Sequence, residues 1–259
     1  MTDTVQLHYV EHGAGQPVVL LHGFPLDHTI WEAQIEALSA RWHVIAPDLR
    51  GHGQSPIWGG VFYMEDMAAD VVALLDSLKI ERAVWVGHSM GGYVTMAALR
   101  RFPERVAGAA MVATHPFADS PEKRTQREMT AQKVLSEGVG TLAEEMLGVL
   151  FAPETPPSAD YVRRTAAIMR RANSQGVAAA LRGMAARPSS VGTLLSARVP
   201  MIFIQGQHDQ IVTRNVLRRI EDRLPPVSIR RIEGAGHMPM LERPELTSAA
   251  LGEFLTSEF

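Results

Sequence analysis

The sequence contains no cysteine among its 259 residues. This absence excludes a disulfide framework, a thiolate nucleophile and any zinc or iron–sulfur site with cysteine ligands. If the protein forms a covalent intermediate, the attacking atom must therefore be an oxygen or a nitrogen.

The sequence also lacks a strong charge of one sign and a long apolar run. A formal net charge of -3 offers no basic field for nucleic acid and no polybasic anchor for a membrane surface. No stretch reaches the roughly 18 apolar residues that span a bilayer. Residues 1–7 have neither the cationic start nor the apolar segment of a secretory signal. We therefore expect a cytoplasmic protein that acts on a small molecule, with neither nucleic acid nor membrane as a partner.

The apolar residues, 46% of the chain, are grouped in a way that predicts a large core. Short apolar runs bounded by Gly, Pro and Asp predict strands buried on both faces, as in a parallel sheet. These runs cover residues 17–21, 43–47, 83–87, 106–113 and 200–205. Residues 64–78 follow the helical period, and residues 5–11 predict an antiparallel edge strand. The alternation predicts an α/β fold with a doubly wound, mostly parallel sheet, whose ligand crevice lies at the carboxyl ends of its strands.

The strand pattern stops between residues 115 and 190. This block is rich in Met, Ala, Leu and Arg and predicts several helices, the first with Ser120 as N-cap and Pro121 as its first residue. The strand pattern resumes near residue 198. We therefore interpret residues 115–190 as a helical lid, inserted into a core domain formed by residues 1–114 and 191–259.

A Gly-x-Ser-x-Gly pattern at residues 87–91 lies between a predicted strand and a predicted helix. A serine on such a tight turn holds its hydroxyl clear of the sheet, so Ser89 is the candidate nucleophile. Gly87 and Gly91 leave the room that the turn needs. The backbone N–H of Met90, at the start of the helix, is a candidate donor to an oxyanion. The alternative is an ordinary glycine-rich turn with an idle serine.

A serine hydroxyl needs an adjacent base, usually a histidine oriented by a carboxylate. His237 follows a predicted strand over residues 227–232 and is the candidate base. Asp209 ends another predicted strand and is the candidate acid. Asp119, which follows the strand at 106–113, is its rival. The alternative for each of these residues is a structural role in a helix cap or a turn. The backbone N–H of Phe24, in the loop after the first parallel strand, is the second candidate oxyanion donor.

Five segments together resemble one known superfamily. They are His-Gly-Phe-Pro (22–25), Asp-Leu-Arg-Gly-His-Gly-Gln-Ser (48–55), Gly-His-Ser-Met-Gly-Gly (87–92), Gly-Gln-His-Asp (206–209) and Gly-Ala-Gly-His (234–237). The chain is similar to the α/β-hydrolase superfamily over nearly all of its length outside the lid. Within that superfamily it resembles small esterases, enol-lactone hydrolases and cofactor-free haloperoxidases.

The resemblance implies a serine triad of Ser89, His237 and Asp209, and an oxyanion hole formed by the N–H groups of Phe24 and Met90. It also implies that residues 115–190 cap the site and that residues 48–55 form a structural loop beside it. Haloalkane dehalogenases and epoxide hydrolases carry an aspartate where this chain has Ser89. Hydrolases of carbon–carbon bonds usually have a more glycine-rich oxyanion loop. Both groups are therefore disfavoured.

The sequence thus predicts a hydrolase that cleaves carboxylic esters through an acyl-enzyme. A lactonase, for enol-lactones or acyl-homoserine lactones, is the alternative, and a catalytically silent ligand receptor is a further one. Phosphate-binding and dinucleotide-binding loops and a zinc-binding helix motif are absent from the sequence, so we expect no cofactor and no metal. The predicted lid has ten Lys and Arg against eight Asp and Glu. This excess either favours a substrate with a carboxylate or reflects solvated helix faces.

Overall fold

One seven-stranded sheet forms the centre of the computed structural model, which describes residues 4–224 and 227–259. The strands are β1 (Tyr9–His12), β2 (Pro17–Leu21), β3 (His43–Pro47), β4 (Ala83–His88), β5 (Val106–Val112), β6 (Met201–Gly206) and β7 (Ser228–Ile232). They lie in the order β1-β3-β2-β4-β5-β6-β7. Only β1 pairs antiparallel in this sheet; the other pairings are parallel. The predicted α/β fold is therefore confirmed.

Helices cover both faces of the sheet. In chain order they are α1 (Glu32–Leu38), α2 (Met64–Ser77), α3 (Met90–Arg101), α4 (Pro121–Glu137), α5 (Gly140–Leu150), α6 (Asp160–Arg170), α7 (Ser174–Ala186), α8 (Val191–Ser196), α9 (Arg214–Arg223), α10 (Pro239–Glu242) and α11 (Pro244–Glu258). Along β2, Val18 and Leu20 enter one apolar cluster, whereas Val19 and Leu21 enter the other. Successive side chains of a strand point to opposite faces, so the strand is apolar throughout because both faces are buried.

The predicted edge strand begins later than expected. The prediction places it at residues 5–11, whereas β1 begins at Tyr9. The N–H groups of Val5 and His8 donate to the side chains of Asp70 and Ser55 instead of to a neighbouring strand. The segment before β1 is therefore held by hydrogen bonds to side chains. A pattern of apolar residues does not reveal such hydrogen bonds.

Five helices, α4 to α8, lie between β5 and β6. Ser120 accepts a hydrogen bond from the N–H of Lys123, and Pro121 is the first residue of α4, which confirms the predicted cap. None of the helices in the described parts of the chain combines the length and the apolar character that crossing a bilayer requires.

The loop after β3 is held by a buried ion pair. Arg50 donates from Nε and Nη2 to the two carboxylate oxygens of Asp70 on α2, at 2.5 and 2.7 Å. Both side chains are almost fully buried, at 4% and 0% exposure. Burial raises the pKa of Asp70, although the hydrogen bonds from Arg50 oppose that rise. A buried guanidinium keeps its charge, so the stability of this loop depends on the carboxylate.

Replacing the carboxylate of Asp70 tests whether the stability of the loop after β3 depends on it. We expect Asp70→Asn to lower the free energy of unfolding by about 3–5 kcal/mol, because the buried guanidinium then faces a neutral amide. The matched control is Asp76→Asn on the same helix, whose ion pair with Arg105 is exposed. This control should cost at most about 1 kcal/mol. Equal losses in urea denaturation of the two variants would contradict the account.

Four histidines near the carboxyl edge of the sheet resist protonation. Burial lowers the pKa of His52, His88 and His115 to about 3. Burial also lowers the pKa of His22. The unfolded chain takes up these protons near pH 6.5, whereas the folded chain does so only at lower pH. Between these values the unfolded state binds more protons, so acid destabilises the fold.

We therefore expect the free energy of unfolding to fall between pH 6.5 and pH 5, by up to about 1.4 kcal/mol per pH unit for each such histidine. His28 does not oppose this trend, because its pKa is raised by the hydrogen bond to Asp48, and below pH 6.5 it is protonated in both states. Urea denaturation across this range measures the slope. His52→Asn keeps a donor for the carbonyl oxygen of Arg50. This variant should reduce the slope of the free energy of unfolding against pH by the contribution of about one proton. An unchanged slope in this variant would refute the assignment.

Candidate active site

Ser89 occupies a strained turn between β4 and α3. Its φ of 49° lies in the left-handed region that side chains seldom adopt. Its N–H donates to the carbonyl oxygen of Val112 on the neighbouring strand, at 2.9 Å. Because α3 begins at Met90, directly after the turn, the serine lies at the amino terminus of this helix.

The two glycines of the turn are needed for different reasons. A Cβ on Gly87 would lie 2.3 Å from the carbonyl oxygen of Gly91, inside the turn itself, as the sequence predicts. A Cβ on Gly91 would instead lie 2.5 Å from the carbonyl oxygen of Leu21 at the end of β2. The second glycine therefore makes room for the neighbouring strand.

The structure brings Ser89, His237 and Asp209 together. The Ser89 Oγ lies 3.0 Å from His237 Nε2, and His237 Nδ1 lies 2.8 Å from Asp209 Oδ2. The side chains of His237 and Asp209 are 2% and 1% exposed. An ionised carboxylate can only accept, so Nδ1 carries the proton and Nε2 is free to accept one from the serine.

Asp209 is surrounded by donors that keep it ionised. Burial alone would raise its pKa, but the interaction with His237 and the surrounding hydrogen bonds lower the pKa below its usual value. Asp209 Oδ1 accepts the N–H groups of Ile211 and Val212 at 2.7 and 2.8 Å. Oδ2 accepts Nε2 of Gln205, at 2.5 Å. Gln205 was not predicted from the sequence, although a lone polar residue within the apolar strand β6 was a signal.

Two further buried side chains hold the histidine loop. His88 donates from Nε2 to the carbonyl oxygen of His237 at 2.9 Å. Glu242 accepts the N–H of Gly236 at 2.8 Å, and the N–H of His237 donates to the carbonyl oxygen of Leu150 at the end of α5. The roles of His88 and Glu242 were not predicted, because nothing in the neighbouring sequence shows which backbone groups these side chains contact.

The loop at residues 22–25 passes directly beside Ser89. A Cβ on Gly23 would lie 3.3 Å from the Cβ of Ser89. Phe24 lines the same cavity as the serine. His22 donates from Nδ1 to the carbonyl oxygen of Gly23 and accepts the N–H of Leu49 at Nε2, both at 2.9 Å. Through His22, these two hydrogen bonds connect the loop to the segment that follows β3.

A cavity of about 310 Å³ opens onto Ser89 and His237. Its apolar wall comes from α5 and α7 and contains Leu142, Met146, Val149, Leu181 and Met184. Lys123, Gln126, Arg127 and Thr130 of α4 form a polar wall. The cavity that contains the serine hydroxyl therefore has both an apolar surface and positively charged side chains in its wall.

Asp119 points toward cations and makes no hydrogen bond to His237. Its Oδ1 accepts Nη2 of Arg187 at 2.8 Å, and its Oδ2 accepts Nε of Arg127 at 2.5 Å. Burial would raise the pKa of Asp119, but the two guanidiniums hold it below its usual value. Both of its oxygens are thus engaged within the inserted helices.

One side-chain group in the described parts of the chain could hold a metal ion. The candidate ligand atoms of His8, His28 and Asp48 all lie within 4.8 Å of one another. His28 and Asp48 line a separate cavity, and Asp48 already accepts the N–H groups of His28 and Gln54. A metal held there would not contact Ser89 through this cavity.

Three similar proteins illustrate the relationships of the chain. It is 38% identical to a thermophilic esterase from Thermogutta terrifontis, solved with malate bound, over 97% of this chain and 93% of that one, with a TM-score of 0.93. It is 28% identical to the enol-lactonase from Burkholderia xenovorans LB400 over 96% of each chain, with a TM-score of 0.85. It is 31% identical to epoxide hydrolase A of Mycobacterium tuberculosis, over 98% of this chain and 95% of the relative.

A family model agrees with these similarities. Residues 16–244 match the model described as the alpha/beta hydrolase fold. The matched segment runs from the residue before β2 to the first residue of α11 and includes Ser89, Asp209 and His237. The chain therefore belongs to the alpha/beta hydrolase fold family.

Proposed function

We propose that this protein is a serine hydrolase that cleaves carboxylic esters through an acyl-enzyme at Ser89. The observation that carries the proposal is the continuous hydrogen-bonded chain from Ser89 Oγ through His237 to Asp209. In this arrangement the acid is buried and ionised, the base is oriented, and the hydroxyl faces a cavity. The similarity to an esterase and to an enol-lactonase supports the same class of reaction.

The mechanism follows from these positions. His237 Nε2 takes the proton of Ser89 as Oγ attacks the carbonyl carbon of the ester, and the carbonyl oxygen becomes an oxyanion. The N–H groups of Phe24 and Met90 are the proposed donors to that oxyanion. His237 then returns the proton to the departing alkoxide, which leaves the acyl group on Ser89. A water molecule, deprotonated by His237, releases the acid in the second half of the cycle.

An ester suits this nucleophile better than an epoxide, despite the similarity to an epoxide hydrolase. Attack of Ser89 on an epoxide carbon would form an ether, which water and a histidine base do not cleave. Attack on a carbonyl carbon forms an ester, which the same base can hydrolyse. A lactone is the second candidate, because its ring ester undergoes the same steps with a tethered leaving group. A panel of esters of graded acyl length, assayed beside several lactones, separates the two.

We further propose that residues 115–190 act as a lid on a core domain of residues 1–114 and 191–259. Helices α4, α5 and α7 supply most of the residues that line the cavity together with Phe24 and Ser89. The end of α5 is tied to the histidine loop through the carbonyl oxygen of Leu150. Substrate preference in this arrangement depends on the side chains that these helices present.

Removing the nucleophile tests the proposed function. We expect Ser89→Ala to lose about three orders of magnitude or more in kcat/KM on a 4-nitrophenyl ester, because the attacking oxygen is gone. The wild-type protein should be labelled on Ser89 by a fluorophosphonate, and the variant should not. A variant that retains more than about a tenth of the activity, with an unchanged melting temperature, would overturn the assignment.

A pair of isosteric changes tests the acid. Asp209→Asn should lose about three orders of magnitude in kcat, because an amide can no longer fix the Nδ1–H tautomer of His237. Asp119→Asn should lose less than about tenfold in kcat on a neutral ester, since the hydrogen bonds of the Asp119 carboxylate go to Arg127 and Arg187 of the inserted helices. Both rates are compared per folded protein, as measured by circular dichroism. The opposite ranking would transfer the role to Asp119.

A further inference from the structure

Two cations of α4 lie in the wall of the cavity that contains Ser89. Lys123 and Arg127 line it together with Ser89 and His237. Lys123 is exposed at the rim, whereas Arg127 is partly buried. An exposed lysine is usually a solvated surface charge, but these two residues face the space that a substrate would occupy.

The cluster around these cations has more positive charge than its acidic groups balance. Arg127 and Arg187 share the single carboxylate of Asp119. Lys123 contacts the neutral amide oxygen of Gln126 at 3.0 Å. Burial, and then the charge of Arg127, lower the pKa of Lys123, whereas the carboxylate of Asp119 opposes this shift.

The carboxylate of Glu145 does not balance this charge. Glu145 of α5 also lines the cavity, but its side chain is 64% exposed and pairs with Lys133 at 3.5 Å. A guanidinium has five N–H groups. The contacts of Arg127 to Asp119 and to the sulfur of Met184 use only two of them. Arg127 can therefore donate to a further anion.

We propose that Lys123 and Arg127 form an anion subsite that binds a carboxylate on the acyl part of the substrate. This inference rests on the proposed ester hydrolysis and adds the substrate class. The apolar wall beside Ser89, which includes Leu142 and Met146, suits a short aliphatic chain between the scissile carbonyl and the carboxylate. The favoured substrate is thus a half-ester of a short dicarboxylic acid, or the lactone that corresponds to it.

Two aryl esters that differ only in charge test the subsite. Mono-4-nitrophenyl glutarate carries a terminal carboxylate, and 4-nitrophenyl 5-oxohexanoate carries a methyl ketone of similar size. After subtraction of the uncatalysed rates, we expect the wild-type kcat/KM to be about tenfold higher for the glutarate. Added salt should reduce this preference, because the rim of the subsite is exposed.

Three variants locate the effect. Lys123→Gln should lower the preference, which is the ratio of the two kcat/KM values, by roughly three- to fivefold, and Arg127→Gln should lower it by about tenfold. Arg170→Gln, which removes an exposed cation of α6 that does not line the cavity, should change neither rate. The subsite would be overturned if the wild type did not prefer the glutarate ester, or if the wild type and all three variants preferred it equally. Neither result would affect the proposed ester hydrolysis.

Calorimetric binding of glutarate provides a readout that does not require turnover. We expect the wild-type protein to bind glutarate and Lys123→Gln to bind it several-fold more weakly. Weaker binding of glutarate by Lys123→Gln supports the subsite even if neither ester is cleaved. Failure to cleave either ester would refute only the proposed hydrolysis. Absence of both binding and cleavage would refute both proposals. Because Lys123 is exposed and its ammonium donates a hydrogen bond to the neutral amide of Gln126, the Lys123→Gln variant should fold normally.

Discussion

The buried hydrogen bond between His237 and Asp209 is the interaction on which the rest of the site depends. A carboxylate that is only 1% exposed remains ionised because the imidazole, two backbone N–H groups and the amide of Gln205 all donate to it. That charge fixes the proton on Nδ1 and turns Nε2 toward Ser89. Without it, the imidazole could adopt the other tautomer, and the serine would lose its acceptor.

The fold supplies these groups from distant parts of the chain. Parallel strands end at the same edge of a sheet, so the residues that follow β4, β6 and β7 meet there. Ser89 follows β4, Asp209 follows β6, and His237 follows β7. The carbonyl oxygen of His237 is held in turn by His88, the last residue of β4. The nucleophile strand and the histidine loop are therefore fixed to each other as well as to the sheet.

Much of this arrangement is predictable from the sequence, for physical reasons. Strands buried on both faces must be apolar throughout, so the parallel strands are visible as short apolar runs, and the glycines around Ser89 mark a turn that larger residues cannot form. The late start of β1 is not predictable, because side chains of Asp70 and Ser55 take the N–H groups that a ladder would use. The roles of His88 and Glu242 are hidden for a similar reason: each binds backbone groups far away in sequence.

The most direct test of the proposed chemistry is to isolate the covalent intermediate. The protein is mixed with 4-nitrophenyl acetate, whose good leaving group speeds acylation relative to the release of the acyl group, and the reaction is quenched in acid after milliseconds to seconds. Peptide mapping by mass spectrometry then locates the acyl group. The account predicts one acetyl group per protein, on the Ser89 hydroxyl, and a burst of nitrophenolate of equal size. An acetyl group on another residue, or nitrophenolate release with no acylated protein at any quench time, would contradict it.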